Sequence, residues 1–205
     1  QIHTITNANR LNQFLTRCFK IGARPIIWGG VGTGKTSIVR DLPNHPTAAS
    51  LNPVMWEHLP PLSVLDSLSL FGLPMIQTDS ENRPTQAFAR SGVLPVDPLP
   101  DGQRHLVFLD EVTACDTLIM PPVNQLLQDG KLGNFELPKG TLIVAASNRA
   151  EDLAVVHDQP TSTATRLVHV TWQPDPEDWR MNYGARAGLD PRVLAAIKVM
   201  PKILY

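Results

Sequence analysis

Gly29, Gly30, Val31, Gly32, Thr33, Gly34, Lys35 and Thr36 follow one another as GxxxxGK[ST] without a mismatch. Residue types at that spacing suit one task. Glycines let successive backbone N–H groups curl around phosphate oxygens with no Cβ in the way, and a helix opening near Gly34 would aim its positive end at them. Lys35 would reach the β- and γ-phosphates, and the Thr36 hydroxyl could ligate Mg²⁺. Ser37, where the chain enters the helix, is counted with the nucleotide-binding set. The pattern implies a bound nucleoside triphosphate.

A second group adds hydrolytic chemistry. The apolar run Leu106-Val107-Phe108-Leu109 ends in Asp110-Glu111. Asp110 would hold Mg²⁺ through its water shell, and Glu111 could polarise an attacking water. The alternative for this pair is a helix N-terminus, where acidic residues are also favoured. A third run, Thr141 to Ala146, ends in Ser147-Asn148. An amide at that strand tip could hold the water in line; otherwise Asn148 is a turn residue.

For these groups to meet, their runs must be neighbouring strands with the polar residues at one edge. Unbroken apolar runs suit a parallel sheet covered on both faces, and the carboxyl edge of such a sheet is where ligands bind. Ile26-Ile27-Trp28 predicts a short buried strand before the glycine loop, and Ser37 to Leu42 a helix after it. Leu11, Phe14, Leu15, Cys18 and Phe19 fall at helical spacing, predicting an opening helix that could cover a nucleotide base. Pro43 and Pro46 stop the helix after the loop early, and Ala48 to Trp56 reads as a strand. Met75 to Thr78 and Thr85 to Ala89 flank a turn and predict a hairpin. Thr117 to Gln128 reads as helical, with Pro121-Pro122 either kinking it or marking its true start. Asp175-Pro176 and Asp190-Pro191 each set an N-cap residue before a first-turn proline, predicting two helices, the first closed by Gly188.

Composition permits this and narrows the partners. With 205 residues, 42% hydrophobic, the chain can bury one core and a small appendage. A net charge of −1 advertises no basic surface for nucleic acid. Cys18 and Cys115 lack metal-ligand spacing, which favours a reducing compartment, and Cys18 falls on the apolar stripe of the first helix. No run approaches the roughly 18 apolar residues of a membrane span, and no secretory leader pattern is read, so the expected location is cytoplasmic.

The three motifs in this order resemble the AAA+ ATPases, and finer detail is similar to the MoxR branch. Gly29 to Thr36 resembles the family's Walker A and Leu106 to Glu111 its Walker B, while Asn148 matches the sensor-1 position. Ser69-Leu70-Phe71-Gly72-Leu73-Pro74 resembles the signature opening the insert in helix 2, about residues 69–95, and Leu126 to Pro138 resembles the pre-sensor-1 hairpin. Arg166, in Ala164-Thr165-Arg166-Leu167, sits where the family places its arginine finger; an internal salt bridge is its alternative. The resemblance implies an α/β P-loop fold: a three-layer αβα core with a parallel sheet over 1–173, then the start of a small helical lid over 174–205. It implies an ATPase with ATP and Mg²⁺ as cofactors. Lys35, Glu111, Asn148 and Arg166 would be catalytic, and Thr36 and Asp110 would hold the metal. It implies a homo-oligomeric ring, a hexamer by expectation, acting on a protein client, with a von Willebrand factor A domain protein as one candidate. The sensor-2 arginine of relatives is expected to lie beyond Tyr205 or to be absent, and Arg180, Arg186 and Arg192 are not assigned that role.

Two other classes compete. A nucleic-acid-remodelling ATPase needs a basic, aromatic-lined surface, and the hairpin region offers only Arg83, Arg90 and Phe88. A non-hydrolysing scaffold has no use for Glu111. His105 and His169 read as ordinary strand residues, and His157-Asp158 lacks a nucleophile to serve. Trp56, Trp172 and Trp179 read as core or subunit-contact residues.

Overall fold

The computed structural model describes residues 3–89, 91–148 and 166–204; Arg90, Ala164-Thr165 and the His157-Asp158 pair lie outside the described residues. In chain order the elements are β1 (His3–Ile5), α1 (Ala8–Lys20), β2 (Pro25–Trp28), α2 (Lys35–Asp41), β3 (Pro53–Met55), α3 (Ser67–Phe71), β4 (Pro74–Thr78) and β5 (Pro84–Phe88). There follow β6 (Arg104–Leu109), α4 (Met120–Asp129), β7 (Lys131–Leu132), β8 (Phe135–Glu136), β9 (Leu142–Ser147), β10 (Val168–Trp172), α5 (Pro176–Trp179) and α6 (Pro191–Val199).

Six strands form one parallel sheet in the order β1-β10-β2-β9-β6-β3. Alternation along each central strand builds the two faces. Ile26, Val107, Leu109, Ile143 and Ala145 pack with Val123, Leu126 and Leu127 of α4. Ile27, Leu106, Phe108, Val144 and Ala146 pack with Leu11, Leu15 and Phe19 of α1 and Val39 of α2. Both faces are covered, which is why Ile26-Ile27, Leu106 to Leu109 and Leu142 to Ala146 are unbroken apolar runs. The result is the αβα layering that the resemblance implied.

The two proline-rich stretches resolve in different ways. Pro46–Leu51 is a 3-10 helix, and only Pro53–Met55 of the expected Ala48–Trp56 strand pairs. The His45 side chain caps Thr47 N, and Asn52 takes a left-handed conformation (φ 46°) that ends the turn before the strand starts. α4 starts at Met120 with Pro121-Pro122 in its first turn, so the prolines mark the start, where a missing N–H breaks no helical bond. β1, an edge strand beside β10, was not anticipated.

β4 and β5 form the expected hairpin as a separate antiparallel pair, and β7 and β8 form the second, shorter one. Gly72 closes the base of the first hairpin. Its φ is 84°, and a Cβ there would lie 1.6 Å from the Ala89 carbonyl oxygen. Beyond β10, Asp175 and Asp190 cap α5 and α6 by accepting from Asp178 N and Arg192 N, each at 2.8 Å. A π-helical turn, Arg180–Gly184, follows α5, and Gly188 (φ 70°) lies beyond it in the turn that follows. Among the described residues no helix is long and apolar enough to cross a membrane.

Candidate functional site

The glycine loop joins the end of β2 to α2 and is fixed by its neighbours. Gly34 has φ 85°, a conformation open to glycine at little cost. Gly29 is needed for a different reason: a Cβ there would stand 2.6 Å from the Trp172 carbonyl oxygen. The Trp172 indole N–H donates to Thr33 O at 2.9 Å, and the Thr33 hydroxyl donates to Gly30 O at 2.8 Å. Trp172, at the end of β10, thus braces the loop from the adjacent strand.

Lys35 is 7% exposed, and its Nζ donates to Gly29 O at 2.8 Å and Gly30 O at 2.7 Å. It also donates to Asn148 Oδ1 at 2.9 Å. Asn148 directly follows β9, which lies between β2 and β6, so the amide and the ammonium meet across neighbouring strand ends. Thr36 donates its hydroxyl to Asp110 Oδ2 at 2.6 Å. The sheet therefore brings Lys35, Thr36, Asp110 and Asn148 together at its carboxyl edge. A hydroxyl and a carboxylate in contact are hard oxygen donors of the kind Mg²⁺ accepts alongside waters and substrate phosphates. Among the described residues no cluster of three His, Cys, Asp or Glu side chains could hold a metal.

Glu111 stands apart from this group. It has left-handed backbone angles (φ 57°, ψ 40°), unusual for a residue with a Cβ, which turn the chain sharply away from β6. The Ser63 hydroxyl donates to Glu111 Oε2. Ser63 is placed for this by Leu62, whose N–H donates to Asp110 O at 3.0 Å. Ser147, 1% exposed, ties the turn after Glu111 to β9: its Oγ bonds the Thr113 hydroxyl and accepts from Thr113 N. Neither Ser63 nor the role of Ser147 was legible in the sequence, since no motif surrounds them.

Arg166 lies at the other edge of the sheet. β10 runs parallel to β2 with Val168 opposite Pro25, so Arg166 sits beside the start of β2, while the glycine loop leaves its end. It is exposed, and Nη1 donates to Gln128 Oε1 at 2.6 Å. Among the described residues it makes no ion pair. His105 and His169 serve neighbours in the fold: His105 bonds Asp97 O at 2.8 Å, and His169 Nδ1 accepts from the Trp28 indole at 2.9 Å.

Beside the loop opens a cavity of about 680 Å³, lined by Gly32, Thr33 and Gly34, by the start of α1, and by Trp179, Tyr183 and Arg186. Asp178 fastens this wall to the core, accepting from Asn7 Nδ2 at 2.5 Å and Ala8 N at 3.4 Å. Trp172 and Trp179 line the cavity, whereas Trp56 packs against the core and bonds Val93 O.

No protein-family model matches the chain, and no curated protein does. Solved structures do. A candidate ATPase from Cytophaga hutchinsonii is 15% identical with a TM-score of 0.53, over 90% of this chain and 52% of its own. A Thermotoga maritima RuvB mutant is 14% identical with a TM-score of 0.51, over 88% of this chain and 50% of its own. The chain spans about half the length of these structures, and at such identity the likeness is one of fold alone: an α/β core with a parallel central sheet.

Proposed function

We propose that this chain binds ATP with Mg²⁺ and hydrolyses it as a subunit of an AAA+ ring of the MoxR-like kind, remodelling or activating a protein partner. The observation that carries this reading is the contact of Lys35 with Asn148 and of Thr36 with Asp110 at one sheet edge, beside the loop of backbone N–H groups. Residues 1–173 would be the nucleotide-binding core and 174–205 the beginning of a lid over the cavity.

Each residue has a defined task. The N–H groups from Gly29 to Ser37 bind the phosphates, and Lys35 leaves its carbonyl partners to meet the β- and γ-oxygens. Thr36 and Asp110 would hold Mg²⁺, which when bound offsets negative charge on the phosphates. Asn148 positions the attacking water, and Glu111 takes its proton once released from Ser63. Arg166 cannot serve its own subunit's phosphates, because the length of a strand, at about 3.3 Å per residue, separates it from the loop. Supplied by a neighbour in a ring, expected to be a hexamer, it would stabilise charge on the transferring phosphoryl group.

The β4–β5 hairpin favours a protein client over nucleic acid. Met75, Ile76 and Phe88 are exposed, and the charge of Arg83 is paired with Asp79 and Glu81. A von Willebrand factor A domain protein is one candidate client, by resemblance. The direct test compares wild type with Lys35→Ala by calorimetric ATP titration and phosphate release. The variant should bind ATP about 10- to 100-fold more weakly, as expected for losing a charged hydrogen-bond donor. Unchanged affinity would remove the site from the loop.

A further inference from the structure

Arg166 is exposed, yet a neutral side chain fixes where it stands. Its Nη1 donates to Oε1 of Gln128, a half-buried residue in the last turn of α4, at 2.6 Å. One residue anchors the chain on both sides of this contact. Arg24 donates Nη1 to Leu127 O at 2.8 Å, fixing the position before Gln128. The Arg24 carbonyl accepts from Val168 N at 3.0 Å, two positions beyond Arg166. Leu127 and Leu167, the immediate neighbours of the pair, are both buried in the same core cluster. Each side chain therefore springs from a segment rooted in the core.

The chemistry of the contact is as specific as its placement. Arg40, Arg83, Arg180 and Arg192 each pair with a carboxylate, which offsets their charge. Arg166 meets an amide oxygen instead, and an amide accepts a hydrogen bond without neutralising the guanidinium. A guanidinium carries five N–H donors in a fixed fork, and this contact uses one. Holding that one in advance removes part of the rotamer freedom a long side chain loses on docking.

We propose that Gln128 is the positioning residue for Arg166, holding the guanidinium at the subunit surface with its charge uncompensated for the nucleotide of a neighbouring subunit. This deepens the proposed function and rests on its reading of Arg166 as supplied from a neighbour. A carboxylate at position 128 would hold the same group equally well but would offset the charge that the transferring phosphoryl group needs.

The test measures steady-state phosphate release, ATP affinity, assembly and melting temperature for Gln128→Leu and Gln128→Glu, each with Arg166 intact and with Arg166→Ala. With Arg166 intact, Gln128→Leu should lower kcat about 10-fold, as for losing a hydrogen bond to a charged group, and leave ATP affinity and assembly unchanged. In the Arg166→Ala background the same change should cost nothing further, because Gln128 acts through that side chain. Gln128→Glu keeps the acceptor and should melt no lower than wild type, yet lose about 10-fold or more in kcat. That loss too should vanish without Arg166. A purely structural Gln128 would tolerate Glu at the wild-type rate, which overturns the assignment. So would Gln128→Leu at the wild-type rate, or slowed equally in both backgrounds; these results leave Arg166 itself standing. If Arg166→Ala alone turns over at the wild-type rate, the reading of Arg166 falls, and the assignment of Gln128 falls with it.

Discussion

The Thr36 hydroxyl and the Asp110 carboxylate lie 2.6 Å apart, although 74 positions separate them in the chain. One belongs to the first turn of α2 and the other follows β6, and the pair exists only because β9 sits between β2 and β6 in the sheet. If this pair holds Mg²⁺, Thr36→Val should weaken ATP binding about 10-fold in Mg²⁺ and little in chelator. Titrations with and without chelator check this. Equal losses in both would assign Thr36 to the phosphates alone.

Glu111 is held by Ser63 and would have to leave it to take a proton. Glu111→Gln should retain ATP affinity and lower kcat about 10²- to 10⁴-fold, the usual contribution of a positioned base. Ser63→Ala removes the competing partner and should raise basal turnover a few-fold without changing affinity. Steady-state phosphate release on both variants decides; a Glu111→Gln protein at wild-type rate would refute the assignment.

If a neighbouring subunit supplies Arg166, activity depends on assembly. Arg166→Ala should bind ATP normally and hydrolyse it about 10³-fold more slowly. Mixing it with Glu111→Gln subunits should restore part of the rate, since some interfaces then join an intact Glu111 to an intact Arg166. Specific activity should rise with protein concentration as rings form. A dilute monomer at full rate, or a co-assembled mixture with no recovery, contradicts supply from a neighbour.

Burial pushes the thiols of Cys18 and Cys115 up to about 11 from 9.0. Both should resist alkylation at pH 8 in the native protein, where about one thiol in 10³ is ionised, and react at once in denaturant. The raised values also set a sign. The stability they contribute is whole below pH 9 and is lost as pH rises toward 11, because the unfolded chain ionises first. Denaturant midpoints should therefore fall across that window in wild type and fall less in a Cys18→Ala/Cys115→Ala protein.

What the sequence determined by itself was local chemistry. The glycine loop, the apolar runs and their terminal residues named β2, β6 and β9 and the side chains at their tips, because a strand buried on both faces must be apolar throughout. Pairs of residues at fixed spacing also named the caps at Asp175 and Asp190. Contacts between distant segments needed the tertiary structure. Ser63 meets Glu111 across 48 positions, Trp172 braces Thr33 across 139, and Asp178 fastens Asn7 across 171. No periodicity records such pairs, since each depends on which strands become neighbours. The stretch from Pro43 to Arg104 was least legible for a related reason. Prolines interrupt its local preferences, and β3 is a strand only because β6 offers it an edge.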